Sequence, residues 1–280
     1  MQTSLIKLLK SPDGRLLLFF FKGGAIYAKE YTKDFSSPAT IISEGVLPGF
    51  SLCVDNGSPI IIARRLTGDV FVFRKSGGLW QEKMLIKSNP LENLRFIVCN
   101  DNGKLHTLFN QSYAKSGLEN LTAVSFYDRI WHPPKTKDAF YPMAGSPYTV
   151  VRISDNHVFL FYRAKDIPLV STEISLSPLK IGTPIPIING KTTVYDVSSF
   201  VEGDTVHISA IIRGRYGCQL IYKNRTPDGM SQNSVIWERQ KIDTCIVFRA
   251  ENKLWIMCSV GSDVFCSYSV DNGGSFCPIY

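Results

Sequence analysis

The sequence predicts an all-β chain, a six-bladed β-propeller of four-stranded antiparallel blades, on three observations. A short polar turn followed by a strand-like apolar run recurs six times. The runs are rich in valine, isoleucine, phenylalanine and tyrosine, and none keeps a helical period. The turns between them carry Gly, Asp and Asn, residues that adopt positive φ or fold a side chain onto their own backbone.

The repeat comes first. Its copies begin at Gly14, Gly57, Gly103, Asn156, Asp204 and Asn252, so successive spacings are 43, 46, 53, 48 and 48 residues. Units of four short strands at about 40–50 residues are what a propeller blade requires. The last unit reads most plainly, as "TCIVFRA", "KLWIMCSV", "DVFCSYS" and "SFCPIY"; the second reads "GFSLCV", "PIIIARR", "DVFVFRK" and "LWQEKMLI". The units divide the chain into blades at about 3–45, 46–89, 90–139, 140–190, 191–242 and 243–280, a single domain over 1–280. A seventh blade within the long third and fourth units is the alternative. The ring would close by packing alone, because an innermost strand opens the chain and an outermost one ends it.

Composition bounds the class. Hydrophobic residues make up 44% and charged residues 20%, enough apolar surface for a large core. The run Leu16–Phe21 fits a buried strand and is too short to span a membrane. The opening "MQTSLIKLLK" lacks the pattern of a secretory leader, so the expectation is a cytoplasmic protein without membrane insertion. Seven cysteines lie mostly within apolar runs and form no CxxC pair, which favours packed thiols over disulfides or a metal site. No metal and no cofactor is expected, and nucleic acid is not the expected partner.

The segment "SVDNGGSF" falls between the third and fourth strands of the last unit. Asp271 can accept turn N–H groups, Gly273 can supply a positive φ, and Phe276 can anchor the turn. With Ser269 these residues resemble the Asp box of sialidase-type propellers, Ser-x-Asp-x-Gly-x-(Ser/Thr)-(Trp/Phe). Partial echoes stand at Lys75–Trp80 and Asp128–Trp131. The resemblance implies a structural role for the box, on the face opposite the site. It also implies an arginine triad, for which Arg64, Arg163 and Arg213 or Arg215 are available. The Arg-Ile-Pro signature is missing, however, and no tyrosine–glutamate pair is identifiable; Asp34 or Asp166 would have to serve as the acid. No catalytic residue is assigned.

By analogy with propellers generally, ligands are expected at the loops joining second to third strands. Five of the six such loops carry a cation. Arg64 and Arg65, Tyr113 and Lys115, Tyr162 and Arg163, and Arg213, Arg215 and Tyr216 are therefore the candidate ligand-binding residues, with Lys22 in the first unit. The net charge of +7 suits an anionic ligand, guanidinium groups pair carboxylate or sulfate, and tyrosines offer faces for sugars. The expected function is a non-catalytic, lectin-like propeller that binds a glycan or other anionic ligand. A protein-interaction scaffold is the alternative and a glycosidase the third reading. His106, His157 and His207 lie on second strands of different blades, too far apart to share a metal. Trp80, Trp131, Trp237 and Trp255 read as blade packing. The segment "WHPPKTKDAFYPMAGSPY" is expected to be a loop overhanging the binding face.

Overall fold

The computed structural model describes residues 6–10, 15–32, 35–55, 57–88, 96–101, 104–112, 118–127, 130–132, 135–143, 148–154, 156–176 and 178–280. The chain divides into two compact units, Met1–Ala139 and Phe140–Tyr280. Six sheets are present among the described residues, and each gathers the strands of one predicted repeat.

The first unit carries three. Sheet one orders β1 (Ile6–Lys10), β2 (Leu16–Lys22), β3 (Ala25–Tyr31) and β4 (Thr40–Glu44). Sheet two orders β5 (Val46–Asp55), β6 (Ser58–Arg65), β7 (Val70–Ser76) and β8 (Leu79–Ile86). In sheet three β9 (Phe96–Asp101), β10 (Lys104–Ser112) and β11 (Glu119–Tyr127) are followed by β12 (Ile130–Trp131) and β13 (Lys135–Phe140), which share the fourth position on β11. Part of the proline-rich segment predicted as an overhanging loop is thus an outer strand. Phe140 and Met143 are buried, and residues 133–134 and 144–147 lie outside the described set.

The second unit repeats the plan. Sheet four contains β14 (Tyr148–Arg152), β15 (His157–Tyr162) and β16 (Leu169–Leu176), with β17 (Leu179–Ile181) and β18 (Ile185–Ile188) both on β16. Sheet five contains β19 (Thr193–Glu202), β20 (Thr205–Arg213) and β21 (Cys218–Thr226), with β22 (Gly229–Met230) and β23 (Ser234–Arg239) both on β21. Sheet six contains β24 (Thr244–Ala250), β25 (Lys253–Val260) and β26 (Asp263–Ser269). Its fourth position is filled by the predicted "SFCPIY" segment, through Cys277 N to Tyr268 O (2.9 Å) and a reciprocal pair between Cys266 and Tyr280 (2.9 and 3.0 Å).

Packing explains the near-continuous apolar second strands. In β6, Ile60 and Ile62 join a core with Phe96, Val98 and Leu105 of sheet three. Ile61 and Ala63 join Phe19 and Ile26 of sheet one. In β20, Ile208, Ala210 and Ile212 pack with sheet four, and Ile211 with sheet six. Successive side chains point to opposite faces, so a strand covered on both sides is apolar at every position. Register shifts in the pairing of third and fourth strands recur in sheets one, two, four and five, at Ile26/Tyr27, Val70/Phe71, Leu169/Val170 and Leu220/Ile221. Such bulges sharpen the local twist of each outer edge.

Polar bonds at one repeat length tie neighbouring first strands together, a feature the sequence reading missed. Ser51 Oγ accepts from Val98 N (3.1 Å), Asp196 Oδ2 from Cys245 N (3.1 Å) and Ser198 Oγ from Val247 N (3.2 Å), while Thr149 Oγ1 donates to Val197 O (3.2 Å). The partners are 47 to 49 residues apart. Each bond satisfies a backbone group that has no ladder partner on that edge.

Candidate ligand-binding site

The loops joining second to third strands lie at one end of each sheet, and the predicted site residues divide there into three groups. Arg64 and Tyr162 are interior residues. Arg64 is 8% exposed and its Nε donates to Gly68 O (3.4 Å). Tyr162 is 3% exposed, with its hydroxyl 3.2 Å from Thr172 Oγ1. Both belong to strands covered on two faces, so neither offers a surface to a ligand. Arg65 is engaged within its sheet: it donates to Glu44 O, pairs with Glu82, and lies over Phe71 at 5.4 Å. Tyr113 and Lys115 lie outside the described residues.

Arg163, Arg213, Arg215 and Tyr216 form the third group, and all are exposed. Arg163 lies 5.7 Å from the ring of Tyr141, its bridge partner ahead of β14, and Arg213 lies 4.8 Å from the ring of Tyr195 in the adjoining first strand β19. Arg215 and Tyr216 stand on the β20–β21 turn, closed by Gly214 N to Gly217 O at 2.8 Å. They line a cavity of about 500 Å³ with Gln219, Glu238 and Arg239. Gln219 Nε2 donates to Glu238 Oε1 at 2.6 Å, and Arg239 lies 4.6 Å from the Trp237 ring. Trp237, which the sequence reads as blade packing, does pack on Phe265 of sheet six at 4.7 Å, whereas nothing in the sequence marks Arg239; the pairing Leu220↔Trp237, Cys218↔Arg239 that aligns them is a property of the folded register.

A second cavity, of about 440 Å³, opens between sheets four and five at the opposite end of the strands. One wall is a single row across sheet five. Val201 pairs with Val206, Val206 with Arg225, and Arg225 with Met230, which sets four side chains abreast on one face. The other wall comes from sheet four, where Phe159 and Glu173 are register partners and Ile153 and Ile185 flank them. The Arg225 guanidinium lies over the Phe159 ring at 4.3 Å, and its Nη1 is buried without a hydrogen-bond partner among the described residues. Glu173 and Asp204 supply carboxylates, with Glu173 Oε1 2.5 Å from His157 Nδ1. A guanidinium, two carboxylates and an apolar floor of Val, Ile, Phe and Met suit a ligand that is polar on its edges and apolar on its faces. Nothing in the string "YKNRTPDGM" alone marks Arg225, because the facing wall is about 60 residues earlier.

The Ser269–Phe276 turn lies at that same end of sheet six. Ser269 Oγ donates to Asp271 Oδ1 (2.7 Å) and accepts from Gly273 N (2.7 Å), while Ser275 donates to Asp271 through both its N (2.8 Å) and its Oγ (2.7 Å). These bonds, that of the Ser275 hydroxyl first, hold the Asp271 carboxyl down to about 2. Gly273 takes φ +93°, and Phe276 packs 4.9 Å from Tyr222 of sheet five. Tyr222 is in turn 2.7 Å from Nδ1 of His207, which is fully buried. Burial pushes the Tyr222 hydroxyl up to about 12 and lowers His207.

Neither a family model nor a curated protein sequence matches the chain. Solved structures do. The Aleuria aurantia lectin, in complex with Fucα1-6GlcNAc, superposes with a TM-score of 0.58 at 12% identity, covering 100% of this chain and 95% of the lectin. AofleA from Arthrobotrys oligospora gives 0.56 at 12% identity, over 98% and 84% of the two chains. The SapL1 lectin in complex with α-methyl fucoside gives 0.56 at 10% identity, over 99% and 96%. At this identity the likeness shows the fold: the six sheets are the blades of a six-bladed β-propeller, not of a seven-bladed one.

Proposed function

We propose that this protein is a non-catalytic carbohydrate-binding propeller whose principal ligand site is the cleft between sheets four and five. The carrying observation is Arg225, a guanidinium stacked on Phe159 with a buried and unpartnered Nη1, set among apolar side chains and two carboxylates. A saccharide matches that surface: its hydroxyls accept from the guanidinium and donate to carboxylates, and its C–H faces lie on Ile185 and Met230. A buried charged donor without an acceptor is costly, so a ligand that supplies one gains affinity where the free protein is strained. The fold it shares with lectins solved in complex with fucosides makes methyl α-L-fucoside the first probe, since fucose has both hydroxyls and an apolar methyl group. The reading takes the six blades as one domain. The hydrogen bonds of the Ser269–Phe276 turn support including kinship with the Asp-box propellers in the proposal.

Titration calorimetry with methyl α-L-fucoside, beside a neutral glycan array, tests the cleft. Arg225→Met replaces the guanidinium over Phe159 by an unbranched apolar side chain. It is expected to weaken binding by about tenfold or more while the melting temperature holds or rises. A variant that binds as tightly as the parent would overturn the assignment. Silence across the whole array would overturn the lectin reading and favour a protein partner.

A further inference from the structure

The loop end of sheet five holds a different arrangement. Arg213, Arg215 and Arg239 are exposed, and each guanidinium lies against an aromatic ring: Tyr195 at 4.8 Å, Tyr216 at 5.7 Å and Trp237 at 4.6 Å. None of the three makes an ion pair among the described residues. Three arginines elsewhere are paired, Arg15 with Glu30, Arg65 with Glu82 and Arg249 with Glu202. The sheet fixes the spacing. Arg213 and Arg239 are both register partners of Cys218, so they flank it on one face, two strand widths or about 10 Å apart. Arg215 stands on the turn beside them, and Gly217 lets that turn press onto β23, since a Cβ there would sit 2.7 Å from Arg239 O.

We propose that this end of sheet five, with its cavity of about 500 Å³, is a second binding site, for the carboxylate or sulfate group of an acidic saccharide. A ring stacked on one face of a guanidinium leaves its N–H edge directed outward, where a planar pair of oxygens accepts two bonds at once. The carboxylate of Glu238, the one acid in the cavity lining, is occupied by Gln219, and Lys241 is matched by Asp243 at 2.8 Å. Arg215 and Arg239 in the lining, with Arg213 at the strand end beside it, therefore leave a local excess of positive charge. Tyr216, 88% exposed, adds a ring face beside Arg215 for the sugar. The proposal rests on the carbohydrate reading only in taking the anion to be borne by a sugar. Its residues are separate from Arg225.

The test uses the whole protein, a sulfated disaccharide, an unsulfated uronate disaccharide and their neutral parent, followed by titration calorimetry and by Trp237 fluorescence. Binding of one or both acidic sugars but not the neutral parent is expected, weakening as salt rises. The Arg215→Ala/Arg239→Ala double variant is expected to lose about tenfold or more of that affinity and to keep methyl α-L-fucoside binding. Arg225→Met is expected to do the reverse. The sulfated and uronate arms tell which anion the site prefers. Undiminished acidic-sugar binding in the double variant, equal binding of the neutral parent, or no acidic-sugar binding would overturn the proposal. Only the fucoside arm bears on the cleft.

Discussion

The turn at Ser269–Phe276 and the cleft around Arg225 occupy the same end of adjacent sheets and use their polar groups in opposite ways. In the turn each carboxylate oxygen of Asp271 is occupied by groups of the same short segment. In the cleft Arg225 Nη1 has no hydrogen-bond partner among the described residues. A saturated network has nothing left to offer a ligand and acts on stability. An unsaturated donor is tolerated only where packing holds it, and it has a bond to give. The comparison predicts that substitutions in the turn move the melting temperature and leave binding alone, and that substitutions in the cleft do the converse.

The most severe way to break this division is Gly273→Ala. The added methyl would collide with the hydroxyl and ring of Tyr222, which is buried and bonded to His207, and the φ of +93° disfavours any L side chain. Overpacking and backbone strain each cost about 1–3 kcal/mol. A melting temperature lower by roughly 5–10 °C is expected from calorimetry, with unchanged fucoside affinity in the folded fraction. A stable variant that fails to bind would mean that the turn belongs to the site.

Much of the fold was legible in the sequence because it is periodic. Six polar turns at a regular spacing mark six sheets, and the apolar runs beside them mark strands covered on both faces. The same rule hid what was misplaced. Arg64 and Tyr162 end apolar runs and were read as loop residues, yet they continue strands with two buried faces. The whole proline-rich segment reads as loop, although its "KTKDAF" stretch pairs along β11. The exposed rim arginines were legible from charge alone. Arg225 was not, since its meaning depends on Phe159 from the preceding sheet. The Ser51, Asp196 and Ser198 bonds likewise join residues a full repeat apart.

His207 sharpens the comparison with a smaller effect. Burial lowers its folded pKa below 6.5, partly offset by Glu202. The folded state thus prefers the neutral ring, so its contribution is fully present above the unfolded value and is lost as pH falls below it. The melting temperature should decline from about pH 6.5 downward, and His207→Gln should flatten that decline whatever its effect at neutral pH. An identical slope in both proteins would show that the His207–Tyr222 pair does not report on protonation.

The smallest effect expected is that of Asp271. Its folded carboxyl sits at about 2, below the ordinary 3.8, chiefly through the Ser275 hydroxyl and amide and then Ser269. A depressed acid stabilises above its unfolded pKa and ceases to do so as pH falls through the folded value. Asp271→Asn keeps one acceptor and removes the charge. The gap in melting temperature between parent and variant should therefore be constant above about pH 5 and close between about pH 4 and 2. His207 titrates in both proteins and cancels in that difference. A gap that persists to pH 2 would mean that the turn is held by shape rather than by the carboxylate. A loss of fucoside binding at neutral pH with an unchanged melting temperature would place Asp271 in the site and undo the contrast from which these predictions come.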